Sequence, residues 1–193
     1  MPPPPETGTF LYNEPTIRFD RLPSVMTADL KYLLHYPPAV LDKVRALIDE
    51  DRLEAWLAAR YADRHAIQTD AALYDYVNQI RQRHLKNAPP LSRVAYDSRQ
   101  HPVHGTLGTN TRVARVQGSR LKTKHEIRVA TLFRDTAPAF LRMIAVHELA
   151  HLKEREHTKA FYQLCQYMEP DYHQLEFDLR LYLTWQDIRS SPD

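Results

Sequence analysis

Residues 147–157 carry three histidines and a glutamate at a spacing that suits metal chemistry; the stretch reads His-Glu-Leu-Ala-His-Leu-Lys-Glu-Arg-Glu-His. In an α-helix, residues four positions apart lie one turn above each other, so His147 and His151 can bind one ion from the same face. Glu148 then lies beside the ion without binding it. A carboxylate there can take a proton from a water molecule that zinc has made acidic, and pass it to a leaving group. The pattern therefore predicts hydrolysis at a zinc site, with Glu148 as the catalytic acid/base.

His157 is the natural third ligand, but an unbroken helix would place it about 80° away from the direction of His147. The chain must therefore turn within residues 153–156, and Thr158 can cap a second helix after that turn. Three protein ligands leave the fourth tetrahedral position of Zn²⁺ open, which distinguishes a catalytic zinc site from a structural one. We predict that His147, His151 and His157 bind one Zn²⁺.

A purely structural explanation of the same pattern is an amphipathic helix whose polar face carries these residues by chance. The spacing argues against it, because Phe140, Ile144, His147 and His151 fall on one side of the helix. The histidines therefore continue an apolar face. That placement favours half-buried ligands over solvent-facing side chains.

A strand is predicted immediately before this helix, because residues 125–133 carry apolar and β-branched side chains on both faces. Asp135 can cap the helix that follows, with Pro138 tolerated in its first turn. A strand, a short turn and a metal-binding helix would present a sheet edge to an extended peptide.

The run from Ile144 to Glu154, followed by His157 and by Lys159-Ala160-Phe161, resembles the YgjP-like metallopeptidase family, which is related to the SprT-like and WLM zinc proteins. Pro170-Asp171-Tyr172 and the helix after it are similar to the C-terminal end of that family. The resemblance covers about residues 110–185. It implies a zincin-like fold, the same three histidines as zinc ligands, and the glutamate of the motif as the catalytic acid/base.

Composition limits the class of protein. The chain has 193 residues, of which 43% are hydrophobic, so it can bury a sizeable core. The apolar runs are too short to cross a membrane, and the N-terminal residues do not resemble a secretory signal. Cys165 is the only cysteine, which excludes an internal disulfide, suits a reducing cytoplasm and makes this thiol a packing residue. We therefore expect a cytoplasmic protein that does not contact a membrane.

The predicted fold class is α+β, with three regions along the chain. Residues 1–26 read as a partly disordered tail, residues 27–90 as a helical N-terminal segment, and residues 91–188 as a zincin-like metallopeptidase domain. Glycines and β-branched residues between 91 and 133 predict a small, mostly antiparallel sheet ahead of the metal-binding helix. Four apolar stripes predict four short helices in the N-terminal segment, the first at Leu30, Leu33 and Leu34. The breaks between them fall at Pro37-Pro38, Glu50-Asp51 and Gln68-Thr69.

Residues 112–128 contain six Lys or Arg residues and one acid, Glu126. Such an excess of positive charge could bind a nucleotide or a nucleic acid. A solvated hairpin face is the favoured explanation, because the net charge of the chain is only +2 and the segment has no aromatic residues for base stacking.

Three hypotheses for function follow. The first is a zinc metallopeptidase acting on a peptide or protein. The second uses the same site as a metal-dependent nucleoside triphosphate pyrophosphatase, and the third is a non-enzymatic, metal-stabilised binding module that would tolerate Glu148→Gln. Either enzyme needs a donor for developing negative charge and acceptors for the imidazole N–H groups. Candidate donors are Tyr162, Tyr167, Tyr172 and His173, and candidate acceptors are Glu169, Asp171 and Glu176.

Overall fold

The computed structural model describes residues 30–100, 107–117 and 120–190, without the side chains of residues 112–117 and 120–123. The predicted N-terminal tail, residues 1–26, lies outside the described residues. The described part has an α+β fold, as predicted from the sequence. Its elements are, in order, α1 (Pro38–Asp49), α2 (Leu53–Tyr61), α3 (Asp70–His84), β1 (Leu91–Asp97), β2 (Gly108–Gln117), β3 (Arg120–Ala130), a 3₁₀ helix (Thr131–Asp135), α4 (Pro138–Ala150), α5 (Lys159–Met168) and α6 (Tyr172–Ser190).

The predicted breaks between the N-terminal helices are confirmed. Pro38 is the first residue of α1, where its fixed φ suits a helix and its missing N–H costs nothing. Asp51 has a φ of 54° between α1 and α2, a left-handed conformation that ends the first helix. Thr69 caps α3, because its hydroxyl accepts a hydrogen bond from the N–H of Ala72 at 3.1 Å. Residues 31–36 form turns where the first helix was expected, and residues 27–29 of that expected helix lie outside the described residues.

The sheet is mixed, not mostly antiparallel as expected. Its strand order is β1-β3-β2. β3 pairs antiparallel with β2 and parallel with β1, because the chain crosses from one sheet edge to the other between β1 and β2. The strand predicted at residues 125–133 is confirmed only as far as Ala130, the last residue of β3, because residues 131–133 begin the 3₁₀ helix. β3 lies in the centre of the sheet, so β2, not the predicted strand, is at an edge beside α4.

The helix α6 connects two clusters of buried apolar residues. Leu175, Leu179 and Leu183 pack into the main cluster with the sheet, α3, α4 and α5. Phe177 and Leu181 pack into a second cluster with α1, α2 and the turns before them. A helix that is apolar on several faces is typical of a buried position. The boundary at residue 90 between a helical N-terminal segment and a zincin-like domain remains a prediction.

The helix α4 lies inside the main cluster, where nine of its residues are buried. It begins at Pro138 with Ala137 as its N-cap and no side-chain cap, so the prediction of an Asp135 cap is wrong. The reason is that Asp135 belongs to the 3₁₀ helix that precedes α4.

Cys165 is completely buried, as expected for a packing residue. No helix within the described ranges combines the length and the apolar character of a membrane span.

A buried carboxylate ties α2 to α6. Asp178 is 1% exposed; Tyr61 Oη donates to its Oδ2 at 2.5 Å, and Gln174 Nε2 donates to its Oδ1 at 2.8 Å. Burial raises the pKa of Asp178. The folded state therefore binds this proton more tightly than the unfolded state, so Asp178 favours folding in acid and opposes it as the pH rises.

We expect Tyr61→Phe to lower the free energy of unfolding at pH 7 by about 1.5–3 kcal/mol, because a buried carboxylate loses one of its donors. The loss should shrink in acid, where Asp178 takes up a proton. Urea denaturation at both pH values measures this. Tyr32→Phe is the matched control, since Tyr32 donates to the partly exposed Asp187 at 3.3 Å, and a surface contact of this kind is worth less than about 1 kcal/mol. Equal losses in the two variants would contradict the argument.

Candidate metal centre

The histidine motif spans the C-terminal end of α4 and the turn after it. α4 ends at Ala150, and His151 is its C-cap. α5 begins at Lys159, and Thr158 caps it by accepting a hydrogen bond from the N–H of Phe161. Both the predicted turn at residues 153–156 and the predicted Thr158 cap are confirmed. The motif therefore ends one helix and starts another.

The turn brings His157 back to His147 and His151. One ring nitrogen of each histidine lies within 4.8 Å of those of the other two. The Nε2 atoms of His147 and His157 are 3.2 Å apart. Two nitrogens bound to one tetrahedral zinc at 2.0–2.1 Å would be about 3.3 Å apart. The geometry and the donor set of three imidazoles therefore fit a metal ion.

The remaining nitrogens of two rings are held by the protein. His147 Nδ1 lies 2.7 Å from Tyr172 Oη, and His151 Nδ1 lies 2.9 Å from the carbonyl oxygen of Glu154. Because a carbonyl only accepts, His151 Nδ1 carries the proton and its Nε2 keeps a free lone pair. These contacts orient the rings for binding through Nε2.

Of the three carboxylates suggested by the sequence as acceptors for the imidazoles, Asp171 is exposed and the other two have different partners. Glu169 pairs with Arg142, and Glu176 pairs with Arg180. At His151 the acceptor is instead the backbone carbonyl of Glu154. A backbone acceptor cannot be predicted from the types of side chain along the sequence.

The aromatic residues that the sequence suggested as hydrogen-bond donors to developing negative charge lie in three different environments. Tyr172 is completely buried and contacts His147. Tyr167 is 64% exposed and packs against His84, so it lies outside the site. Tyr162 and His173 contact each other with tilted rings, whose centroids are 5.3 Å apart.

Phe161 forms the inner wall of the triad. Its ring centroid lies 5.0 Å from that of His147, 4.6 Å from that of His151 and 4.7 Å from that of His157.

Burial, together with the neighbouring His151 and His157 rings, lowers the pKa of His147 to about 3. His147 is therefore neutral near pH 7, which is the form of imidazole that binds metals.

Glu148 is a buried carboxyl group beside the triad. It is 2% exposed, and its Oε2 is buried without a hydrogen-bond partner among the described residues. Burial raises its pKa to about 8. A carboxyl group whose pKa is raised toward neutrality can both accept and donate a proton, as acid/base catalysis requires.

Comparison with known proteins identifies the family. The family described as YgjP-like, metallopeptidase domain, matches residues 112–182, the stretch that holds Glu148 and all three histidines. The UTP pyrophosphatase of Escherichia coli (strain K12) is 56% identical over 157 residues, which is 81% of this chain and 94% of that protein. The chain belongs to the YgjP-like family. No solved structure matches it.

In this YgjP-like chain, residues of the edge strand β2 pack against Glu148. Asn110 Nδ2 donates to the carbonyl oxygen of Glu148 at 3.0 Å. A Cβ atom built on Gly108 would lie 2.4 Å from Glu148 Oε1 and 2.9 Å from its Cγ. Only a residue without Cβ allows so close an approach. Sequence reasoning missed both residues, because nothing local marks a contact between positions so far apart in the chain.

We expect Gly108→Ala to reduce turnover roughly 100-fold, a loss that a 1 Å displacement of a catalytic group can cause. The added methyl group would push the Glu148 side chain aside, whereas the histidines and the fold stay in place. Turnover and metal content, measured on the same sample, test this. Thr111→Ala removes atoms from an exposed side chain of the same strand and should be neutral. Wild-type turnover in Gly108→Ala would show that the position of the carboxylate does not matter.

Glu148 and the three histidines line a cleft of about 820 Å³. Among the described residues, the cationic side chains that line it are Lys31, Arg155 and Arg180. Lys31 pairs with Asp187, and Arg180 with Glu176, whereas Arg155 is an exposed residue of the turn between the second and third histidines.

The basic segment 112–128, a possible nucleotide-binding segment from the sequence, supplies none of these three cations. Among its described side chains, Lys124 is exposed and Arg128 pairs with Asp97 at 2.8 Å. Sequence reasoning missed the cleft cations because each lies on a different element, and only the fold brings them together.

Proposed function

We propose that this protein is a metal-dependent hydrolase of zincin-like architecture that binds Zn²⁺ through His147, His151 and His157. The observation that carries the proposal is the convergence of three imidazoles next to a buried carboxyl group in one cleft. Three nitrogen donors favour zinc over Mg²⁺, which prefers oxygen ligands. Zinc, when bound, acts as a Lewis acid that makes water acidic near neutral pH.

Glu148 moves the proton in this proposal. As the base it takes a proton from the attacking water, and as the acid it delivers that proton to the leaving group. Its contact with Gly108 and its burial restrict where the carboxylate can lie. A fixed position is what a proton carrier between two oxygen atoms requires.

We propose a nucleoside triphosphate as the substrate. The E. coli relative, 56% identical over almost its whole length, is a UTP pyrophosphatase. The cleft supports the same assignment, because Lys31 and Arg155 can neutralise phosphate charge beside the histidines. Water would add to the α-phosphorus, the bond to the bridging oxygen would break, and UMP and pyrophosphate would leave.

The test is incubation of the purified, zinc-loaded protein with UTP, followed by chromatography of the nucleotides and assay of pyrophosphate. Equal amounts of UMP and pyrophosphate are the expected result. UDP and orthophosphate would place the attack at the γ-phosphorus, and intact UTP would overturn the substrate assignment.

A metallopeptidase is the second candidate, and one structural observation favours it. β2 is an edge strand, and its first residues line the cleft beside Glu148. An extended peptide could add main-chain hydrogen bonds to such an edge. The family that matches residues 112–182 is described as a metallopeptidase domain. Cleavage of a mixed peptide library, absent from the Glu148→Gln variant, would support this candidate over the first.

A further inference from the structure

A second pocket opens off the metal cleft. It has a volume of about 390 Å³ and is lined by His35, Tyr36, Tyr162, His173, Glu176 and Arg180. Four of these residues, His35, Tyr162, Glu176 and Arg180, also line the metal cleft, so the two spaces adjoin. We call this space the aromatic pocket.

Four aromatic rings from two parts of the chain line the aromatic pocket. His35 and Tyr36 belong to the turns before α1, and their ring centroids are 4.4 Å apart. Tyr162 of α5 and His173 of α6 have centroids 5.3 Å apart, with 36° between the ring planes. Flat aromatic side chains stack readily on nucleobases, because every base presents a π-face. The lining therefore suits a planar aromatic group.

Two polar groups stand side by side at the junction of the pocket and the cleft. Arg180 donates to Glu176 Oε1 at 3.0 Å and to the carbonyl oxygen of Tyr32 at 3.3 Å. Both side chains are partly buried and one helical turn apart on α6. The protein thus presents an acceptor next to a donor, in a fixed arrangement that a base edge can match.

We propose that the aromatic pocket holds the base of a nucleoside triphosphate whose phosphates lie in the metal cleft, with uracil N3–H donating to Glu176 and a uracil carbonyl accepting from Arg180. This inference rests on the proposed function. In the same pose cytosine would turn the lone pair of its N3 toward the Glu176 carboxylate, so the pocket selects uracil over cytosine.

Titration calorimetry on the zinc-loaded Glu148→Gln protein can separate the contribution of the base to binding from that of the phosphates. UTP carries both, and inorganic tripolyphosphate carries phosphates alone. His173→Ala should weaken UTP binding roughly 5- to 100-fold, the range for losing one stacking contact, and leave tripolyphosphate binding unchanged. His173→Phe should restore UTP binding, because it keeps a flat ring. Tyr167→Ala, which removes an exposed aromatic ring outside the pocket, is the control.

Equal weakening of UTP and tripolyphosphate, or no weakening of either, would overturn the inference. So would a His173→Ala variant that binds UTP normally but cleaves peptides poorly, since the pocket would then hold a peptide side chain. UTP that binds as expected but is not hydrolysed by the wild type would contradict the proposed function and leave the pocket assignment standing.

Glu176→Gln tests the reading of the base edge. The wild type should bind UTP more tightly than CTP, and the variant should lose most of that preference, because an amide offers either an acceptor or a donor. The ratio of the two dissociation constants is the readout, since a general loss of folding or of phosphate binding would not change it. An unchanged ratio would remove Glu176 from base recognition.

Discussion

The Glu148→Gln variant is expected to bind as much metal as the wild type and to hydrolyse its substrate roughly 10²- to 10⁴-fold more slowly, the usual contribution of general acid/base catalysis. Glutamine has nearly the same shape as glutamate, so the contact with Gly108 and the buried position are kept. What is lost is the ability to take up a proton. Turnover and elemental metal analysis on the same sample measure both halves of this expectation.

Glu156→Gln is the matched control, because Glu156 is an exposed carboxylate in the turn between the second and third histidines. It should retain wild-type turnover. A Glu148→Gln variant with full activity would show that the proton travels by another group. If the wild type itself hydrolyses neither UTP nor peptides, yet binds metal, the chain is a metal-stabilised binding module.

The local part of the site could be predicted from the sequence. The spacing of His147 and His151, the turn before His157 and the Thr158 cap are all decided by residues within a few positions of one another. Helix periodicity, caps and ligand spacing are rules of that range. The prolines and the threonine that separate the N-terminal helices are equally local signals.

The surroundings of the site could not be predicted, because long-range packing brings them together. Tyr172 reaches His147 only once α6 lies against α4, and Gly108 meets Glu148 only once β2 becomes the sheet edge. The parallel pairing of β1 with β3 was missed for the same reason. Strand order depends on how the chain crosses the sheet, and apolar alternation along one strand does not record it.

The His157→Ala variant is expected to lose most of its bound metal. His157 is the exposed member of the triad, and its Nε2 lies 3.2 Å from that of His147. Removing it leaves two ligands on one helix end, which is fewer than zinc sites in proteins normally use. The loss of affinity should exceed the 10- to 100-fold that follows removal of an outer hydrogen-bond partner. Elemental analysis and zinc titration of chelator-treated protein measure it.

Thermal denaturation gives an independent readout of the same change. A metal that binds only the folded protein stabilises it by RT ln(1 + [L]/Kd), so zinc should raise the Tm of the chelated wild type and have much less effect on His157→Ala. His173→Ala, which removes another exposed histidine, should respond to zinc like the wild type. Equal responses in all three proteins would mean that His157 is not a ligand, and the metal would then have to be held by His147 and His151 with some other group.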